Sequence, residues 1–171
     1  MTPEITIHAA RTKAEIDDVR GLCWAYRDYL LGFDSGMKEI VGVFYPVDAY
    51  TALMKDLVQK HARPRGEILL AKQGGQSVGC AMMHALNAED IEIKRVFVQA
   101  QARGTGAGEA LSRALIDQAR RDGAHRVLLD TNANFARARR LYEKLGFQQR
   151  GPYSDIPASV LPLLVFYELI L

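Results

Sequence analysis

Three observations predict a mixed α/β fold, with a mixed central sheet of about six or seven strands flanked by about four helices. Segments whose apolar residues recur at three and four positions succeed segments whose apolar residues alternate or run on. A strand-like run over 91–98, a glycine-rich turn, a helix-like stretch and an apolar run over 127–130 follow in the order of one βαβ unit. The chain has 171 residues, 49% apolar and 25% charged. That is the composition of a soluble globular domain, and its length fits one domain with a core needing no staple.

The elements are justified in order. Ile5 to Ala9 alternates like a short edge strand. Lys13 to Leu31 carries Ile16, Val19, Leu22, Cys23, Tyr26, Tyr29 and Leu30 at helical spacing. Residues 32–46 read as an irregular connection, and a second helix covers Val47 to His61 until Pro64 and Gly66 stop it. Glu67 to Lys72 and Ser77 to Leu86 flank Gly74-Gly75-Gln76, the signature of a β-hairpin.

Ile91 to Val98 is the next strand. Its apolar residues shift from odd positions, Ile91 and Ile93, to even ones, Val96 and Val98. A β-bulge near Lys94-Arg95 explains the slip, and so does a strand buried on both faces at its C-terminal end. The following helix repeats Ala107, Ala110, Leu111, Ala114, Leu115 and Ala119 and ends at Gly123. Val127 to Asp130 reads as a buried strand. A last helix with Phe135, Ala138, Leu141, Tyr142 and Leu145 ends at Gly146, and strands around Phe147 and Leu164 to Leu169 close the chain.

Cys23 and Cys80 have neither disulfide-framework nor zinc-site spacing, which fits a reducing compartment. The start lacks a basic region followed by an apolar one, so no secretory leader is expected. The longest apolar stretch, Val160 to Tyr167, is broken by Pro162 and far short of the roughly 18 residues of a membrane span. A soluble, cytoplasmic protein with no membrane partner is expected.

The net charge of +2 is unevenly spread. Residues 94–150 hold 12 Lys/Arg against 5 Asp/Glu, a balance of +7, which leaves −5 for the remainder. Such a segment suits a nucleic-acid backbone, an acidic surface or a small ligand with several phosphates, and solvated helix faces also account for it.

Arg103-Gly104-Thr105-Gly106-Ala107-Gly108 lies between a strand and a helix start, where free N–H groups and the positive end of the helix dipole meet. That is an anion site in which glycines permit close backbone approach and φ > 0. A dinucleotide fingerprint fits poorly, because Glu109 holds the place of its third glycine. A P-loop fits poorly too, for no Lys follows.

RxxGxG does fit, through Arg103, Gly106 and Gly108, and here the chain resembles the GNAT superfamily of acyl-CoA-dependent N-acyltransferases. The likeness extends to the strand Glu92-Ile-Lys-Arg-Val-Phe-Val98 and to Leu141-Tyr-Glu-Lys-Leu-Gly-Phe147, firm over residues 66–150 and looser at both ends. It implies the GNAT fold, with a largely antiparallel sheet and a cofactor-binding βαβ unit, as a single domain over residues 1–171. It implies acetyl-CoA as co-substrate, held by Val96, Phe97 and Val98 and by the amides of Arg103, Gly104, Thr105, Gly106, Ala107 and Gly108. Many members carry Asn seven residues before the tyrosine of the second motif; here that residue is Phe135. Asn132 or Asn134 could take its place, Asn134 being the one carried forward, or either could simply cap the helix.

The resemblance also implies chemistry. An alkyl amine with a pKa near 10.4 is free base in only about one molecule in a few thousand at pH 7, so its proton must be taken. Glu92, 11 residues before Arg103, is the candidate base and would need burial to raise its pKa, or a relaying water. Solvation, or pairing with Lys94, is the structural alternative. Tyr142 would be the general acid toward the CoA thiolate, or else a core aromatic with a polar tip. A backbone N–H near Val98 would meet the oxyanion.

No ligand spacing among His8, His61, His84 and His125 suggests a metal, and Arg137, Arg139 and Arg140 read as a solvated helix face. The amine acceptor, a small molecule or a peptide, would lie near Tyr26 to Tyr45 and Pro152 to Pro162. Aromatics and carboxylates there (Tyr26, Tyr29, Phe33, Asp34, Tyr45, Tyr153, Asp155) suit a cation but are equally ordinary loop and helix residues. A homodimer is common in the family, and the sequence does not decide it. The alternatives are a catalytically inactive acyl-CoA-binding sensor or scaffold domain and a nucleic-acid module. The latter lacks interleaved aromatics and a recognised motif.

Overall fold

The computed structural model describes all residues from Met1 to Leu171. Strands β1 (Ile5–Ala9), β2 (Glu67–Gln73), β3 (Gln76–Ala85), β4 (Asp90–Val98), β5 (Arg126–Asn132), β6 (Gln148–Arg150) and β7 (Leu164–Ile170) form one seven-stranded sheet in the order β1-β2-β3-β4-β5-β7-β6. Every pairing is antiparallel except β4 with β5. The helices are α1 (Lys13–Leu31), α2 (Ser35–Phe44), α3 (Val47–Lys55), α4 (Leu57–Lys60), α5 (Ala107–Arg121) and α6 (Ala136–Lys144). The mixed, mostly antiparallel sheet with one βαβ unit, β4–α5–β5, is the fold class expected from the sequence.

Both sheet faces are covered. On one face Val19 and Leu22 of α1, Tyr50 of α3 and Leu57 of α4 pack on Leu70, Cys80 and Met82. On the other, Leu111 and Leu115 of α5 and Tyr142 of α6 pack on Met83, Ile91 and Leu129. A third cluster joins Leu30, Met37 and Val41 to Leu164 and Phe166 of β7. Each fully buried leucine here contributes about 1.5–3 kcal/mol relative to exposure.

Local signals account for the helix starts. At α1 the Thr12 hydroxyl accepts from the Glu15 N–H at 3.2 Å, and the Glu15 carboxylate accepts from the Thr12 N–H at 2.9 Å, a reciprocal capping box. Helix α2 occupies residues expected to be irregular. Its Gly36 and Gly42 each cost about 1 kcal/mol of helix propensity and mask it. The Asp34 carboxylate cap on the Met37 N–H at 2.7 Å and burial of Met37, Ile40 and Val41 override that cost. The single helix expected over 47–61 is two, broken at Asp56. No Pro or Gly lies at the break. These two differences make six helices rather than about four.

The phase slip in β4 is a bulge. Cys80 pairs with Phe97 and Met82 with Lys94, so three steps on β4 oppose two on β3. Arg95, at φ 53°, is the non-glycine residue in the left-handed region.

Candidate active site

The site begins where the sheet parts. Strands β4 and β5 pair only from Asp90↔Arg126 to Glu92↔Leu128, after which β5 continues against β7 while β4 stays with β3. A cleft of about 870 Å³ fills the gap, lined by Ile93 to Val98 on one side and Leu129 to Asn132 on the other. The β4 edge facing it has no strand partner, so its backbone groups are open to a ligand.

At one end lies the glycine turn. Gly104 and Gly106 have φ of 81° and 86°, and Gly106 precedes α5 with no side-chain cap. The N–H groups of Gly104 through Gly108 make no backbone hydrogen bond. Five successive free amides at the positive end of a fifteen-residue helix form an anion cradle. Thr105 gives only its amide: its side chain turns away to donate to the Ala102 carbonyl at 2.5 Å, and it does not line the cleft. Arg103 lines the cleft, donating to the Val98 carbonyl at 3.1 Å with its guanidinium 4.5 Å from the Tyr29 ring centre.

Val96, Phe97, Val98, Gly104, Gly106, Ala107, Gly108 and Asn134 line the same cleft. Of the two asparagines, Asn132 is buried and its side chain accepts from the Asn134 N–H at 2.7 Å, which leaves the Asn134 side chain exposed at the cleft. Phe135 stacks edge-on against Phe33 at 4.5 Å, joining the aromatic wall of Tyr29 and Phe33. Arg137 and Arg140 also reach the cleft, while Arg139 is held by the Tyr167 hydroxyl and the Ala133 carbonyl.

Tyr142 of α6 is 8% exposed, packs on Phe147 and Tyr167, and presents its hydroxyl to the cleft with no hydrogen-bond partner. Burial, then the negative charge of Asp130, raises its pKa, so it keeps its proton.

Glu92 is placed differently from what the sequence suggested. It is 7% exposed and does not line the cleft. His84 Nε2 lies 2.8 Å from one carboxylate oxygen, the Tyr153 hydroxyl donates to the other at 2.5 Å, and Lys94 Nζ lies 3.8 Å away. Burial alone would raise its pKa, but these partners win and hold it at about 2. The expected strengthening of Glu92 as a base by burial is therefore absent.

Sequence reasoning missed Asp130 and His84, whereas Lys94 was named there as an alternative partner of Glu92 and lies 3.8 Å from it. The parallel register Glu92↔Leu128 puts Asp130 two residues on, on the Glu92 face. Asp130 lines the cleft 3.8 Å from Lys94 Nζ, and burial raises its pKa against the pull of Lys94. The only sequence signal for it was its place at the end of the second strand of the βαβ unit. Of the residues named for an acceptor, Tyr26, Tyr29, Phe33 and Tyr45 line the cleft, whereas no residue of 152–162 does, Asp34 caps α2 and Asp155 is an exposed loop residue. No group of three or more His, Cys, Asp or Glu gathers as a metal site, and no helix is long and apolar enough to cross a membrane.

A sheet parted at its one parallel pair, with a free-amide turn beside the gap and Asp130, Lys94 and Tyr142 lining it, defines an α/β protein with an anion cradle at one end of a titratable cleft. The chain matches the acetyltransferase (GNAT) family over residues 35–147 and belongs to that family. It is 38% identical over 134 residues to an IAA acetyltransferase of Azospirillum brasilense, an alignment covering 77% of this chain and 84% of that one. With an N-acetyltransferase of Schizosaccharomyces pombe it shares 28% identity over 167 residues, 96% of this chain and 94% of the other.

Solved structures share the fold. An acetyltransferase from Salmonella typhimurium determined with acetyl-CoA superposes with a TM-score of 0.67 at 22% identity, covering 98% of this chain and 94% of its own. A GNAT-family acetyltransferase from Staphylococcus aureus gives 0.74 at 17% identity, covering 96% and 97%. The protein is an acyltransferase enzyme of the N-acetyltransferase type.

Proposed function

We propose that this enzyme transfers the acetyl group of acetyl-CoA to a primary amine by direct attack in a ternary complex. The observation that carries the reading is the run of five unpaired amides at the start of α5, opening on the cleft into which the Tyr142 hydroxyl points. The Gly104–Gly108 amides hold the pyrophosphate, and the open edge of β4 at Val96 to Val98, with Asn134, holds the pantetheine arm. The Salmonella neighbour, solved with acetyl-CoA, supports this co-substrate.

The amine nitrogen attacks the thioester carbon, and a β4 backbone N–H near Val98 meets the oxyanion. As the C–N bond forms and the C–S bond breaks, the thiolate takes the Tyr142 proton. The amine proton goes to the Asp130–Glu92 cluster, with Asp130 the group that meets the cleft and Glu92 reached through water. Tyr142 then regains a proton from solvent.

The test is titration of the purified protein with acetyl-CoA by calorimetry, followed by CoA release with a panel of amines. Tyr142→Phe keeps the packed ring, so acetyl-CoA affinity should stay within about twofold while kcat falls by about 10²–10⁴. Absence of acetyl-CoA binding sinks the proposal. Binding without turnover of any amine supports the inactive sensor instead.

A further inference from the structure

We propose that the bulge of β4 builds a carboxylate-binding subsite around Arg95 at the acceptor end of the cleft, and that the acceptor is an amino acid with an apolar or aromatic side chain. The inference rests on the transferase reading for the reaction, but the subsite stands on its own geometry.

The bulge places consecutive cations on one face. Lys94 faces Met82 across the ladder, and Arg95 reaches the same Met82, its Nη1 3.4 Å from the sulfur. Both lie on the α1–α4 side, away from the glycine turn and α5. Lys94 is neutralised by Glu92 and Asp130, each at 3.8 Å.

Arg95 has no such partner. It is 4% exposed, yet it lines the cleft. Every group it touches is neutral: besides the Met82 thioether, these are His61 Nε2 at 3.4 Å and the Tyr45 ring at 5.6 Å from the guanidinium carbon. The His61 Nδ1 lies 2.9 Å from the Met83 carbonyl, which assigns its proton there and leaves Nε2 as an acceptor. Burial, with Arg95 adding to it, lowers the His61 pKa to about 3, so it brings no charge at pH 7.

The unused edge of the guanidinium is the informative one. Nε is buried without any partner, and Nη2 has no protein partner and is not sealed from the cleft. Nη2 is the donor that can meet a carboxylate oxygen from the cleft, and the unpartnered Nε marks a guanidinium whose charge the protein leaves uncompensated. A buried cation without a counter-ion is costly, and an arriving anion removes that cost.

Lys60, at the end of α4, adds a second positive charge at the same end of the cleft. Its ammonium pKa is lowered by burial and then by Arg95 and Lys94, so the three cations strain against one another. Beside them Phe44, Ala49 and Leu53 give the cleft an apolar wall for a side chain. Coenzyme A phosphates are accounted for at the opposite end by the free amides, which leaves Arg95 to the acceptor.

The experiment compares amino acids with their decarboxylated twins: phenylalanine with phenethylamine, tyrosine with tyramine, leucine with 3-methylbutylamine. Both binding, by calorimetry with and without CoA, and kcat/KM for CoA release are measured. The wild type should favour the amino acid of each pair by about ten- to a hundredfold, the range of a charge-assisted pair. Arg95→Gln should abolish the preference while acetyl-CoA affinity is unchanged. Should that variant unfold by circular dichroism, Lys60→Gln, at the solvent-reached end of α4, should still cut the preference several-fold.

Equal or better use of the decarboxylated amines overturns the subsite. So does failure of every amino acid to bind or react in a protein that binds acetyl-CoA. Loss of acetyl-CoA binding is seen in its own titration and sinks the transferase reading instead, since amino-acid binding without CoA still reports the subsite.

Discussion

Glu92 and Asp130 are neighbours in one cluster, yet their surroundings push them apart. Glu92 accepts from Tyr153 and sits against His84 and Lys94, so it is the counter-ion that fixes the cluster. Asp130 has only Lys94 and a weak contact from Tyr153 at 3.5 Å, and burial raises its pKa toward the range useful in a base. Asp130→Asn should therefore lower kcat by about 10² or more and flatten the acid limb of the kcat–pH profile. Glu92→Gln should instead leave an acid limb in place, with kcat lowered through the misplaced Lys94. Stopped CoA-release assays from pH 5 to 9 check both, and an Asp130→Asn enzyme of near-normal rate would show that the base lies elsewhere. Tyr142 and the glycine turn were legible because each sits in a motif with its own spacing. Asp130 was not legible, because nothing in the residues around it marks an acid whose role comes from a strand paired across the sheet.

Elements explain what the turn glycines do, and they do different things. Gly106 sits at φ 86° with nothing within 4 Å of an added Cβ, so Gly106→Ala is penalised by backbone strain alone, about 1–2 kcal/mol. Gly108 lies inside α5, where an added Cβ would meet Val98 and Leu141 at ordinary contact distances of 3.8 and 3.9 Å. Gly108→Ala should thus leave the melting temperature unchanged or raise it, since alanine is favoured over glycine in a helix by about 1 kcal/mol. Both variants should weaken acetyl-CoA binding about tenfold or more, Gly106→Ala with a lower melting temperature and Gly108→Ala without. Paired calorimetry and thermal melts separate the effects, and unchanged affinity in Gly108→Ala would remove close backbone approach from the account of the site. The β4 bulge was readable because the slip from Ile91 and Ile93 to Val96 and Val98 leaves a trace in the apolar phase. Helix α2 was hidden because its propensity is poor, and the Asp34 cap and its packing on β7 become visible only in three dimensions.

At the scale of the molecule, the basic stretch of 94–150 is tied to the acidic remainder by pairs such as Arg126–Asp90 at 2.8 Å, across strands β4 and β5, while Arg63–Asp122 at 2.5 Å joins the two parts with the charges the other way round. These partners lower the pKa of both aspartates, although burial is the largest single influence on Asp122 and opposes the change. The stability they bring is present above the ordinary aspartate pKa, near 4, and is lost only as pH falls below it. Glu92 behaves alike, losing its contribution between about 4.5 and about 2. His61 falls in a different window. Its folded pKa of about 3 lies below the ordinary 6.5, so the unfolded chain takes up the proton first. Its contribution is whole above pH 6.5 and drains as pH falls toward 3. Between pH 6.5 and 4.5 this amounts to about 2–3 kcal/mol, or roughly 5–10 °C in Tm for a chain of this size. Thermal melts across that interval should show the fall, and His61→Gln, which can still donate to the Met83 carbonyl, should flatten it. A wild-type Tm that stays level from pH 6.5 to 4.5 would mean that His61 is not held neutral. The Arg95 guanidinium would then be resting on a cation rather than on a lone pair, and its open Nη2 donor would lose its support.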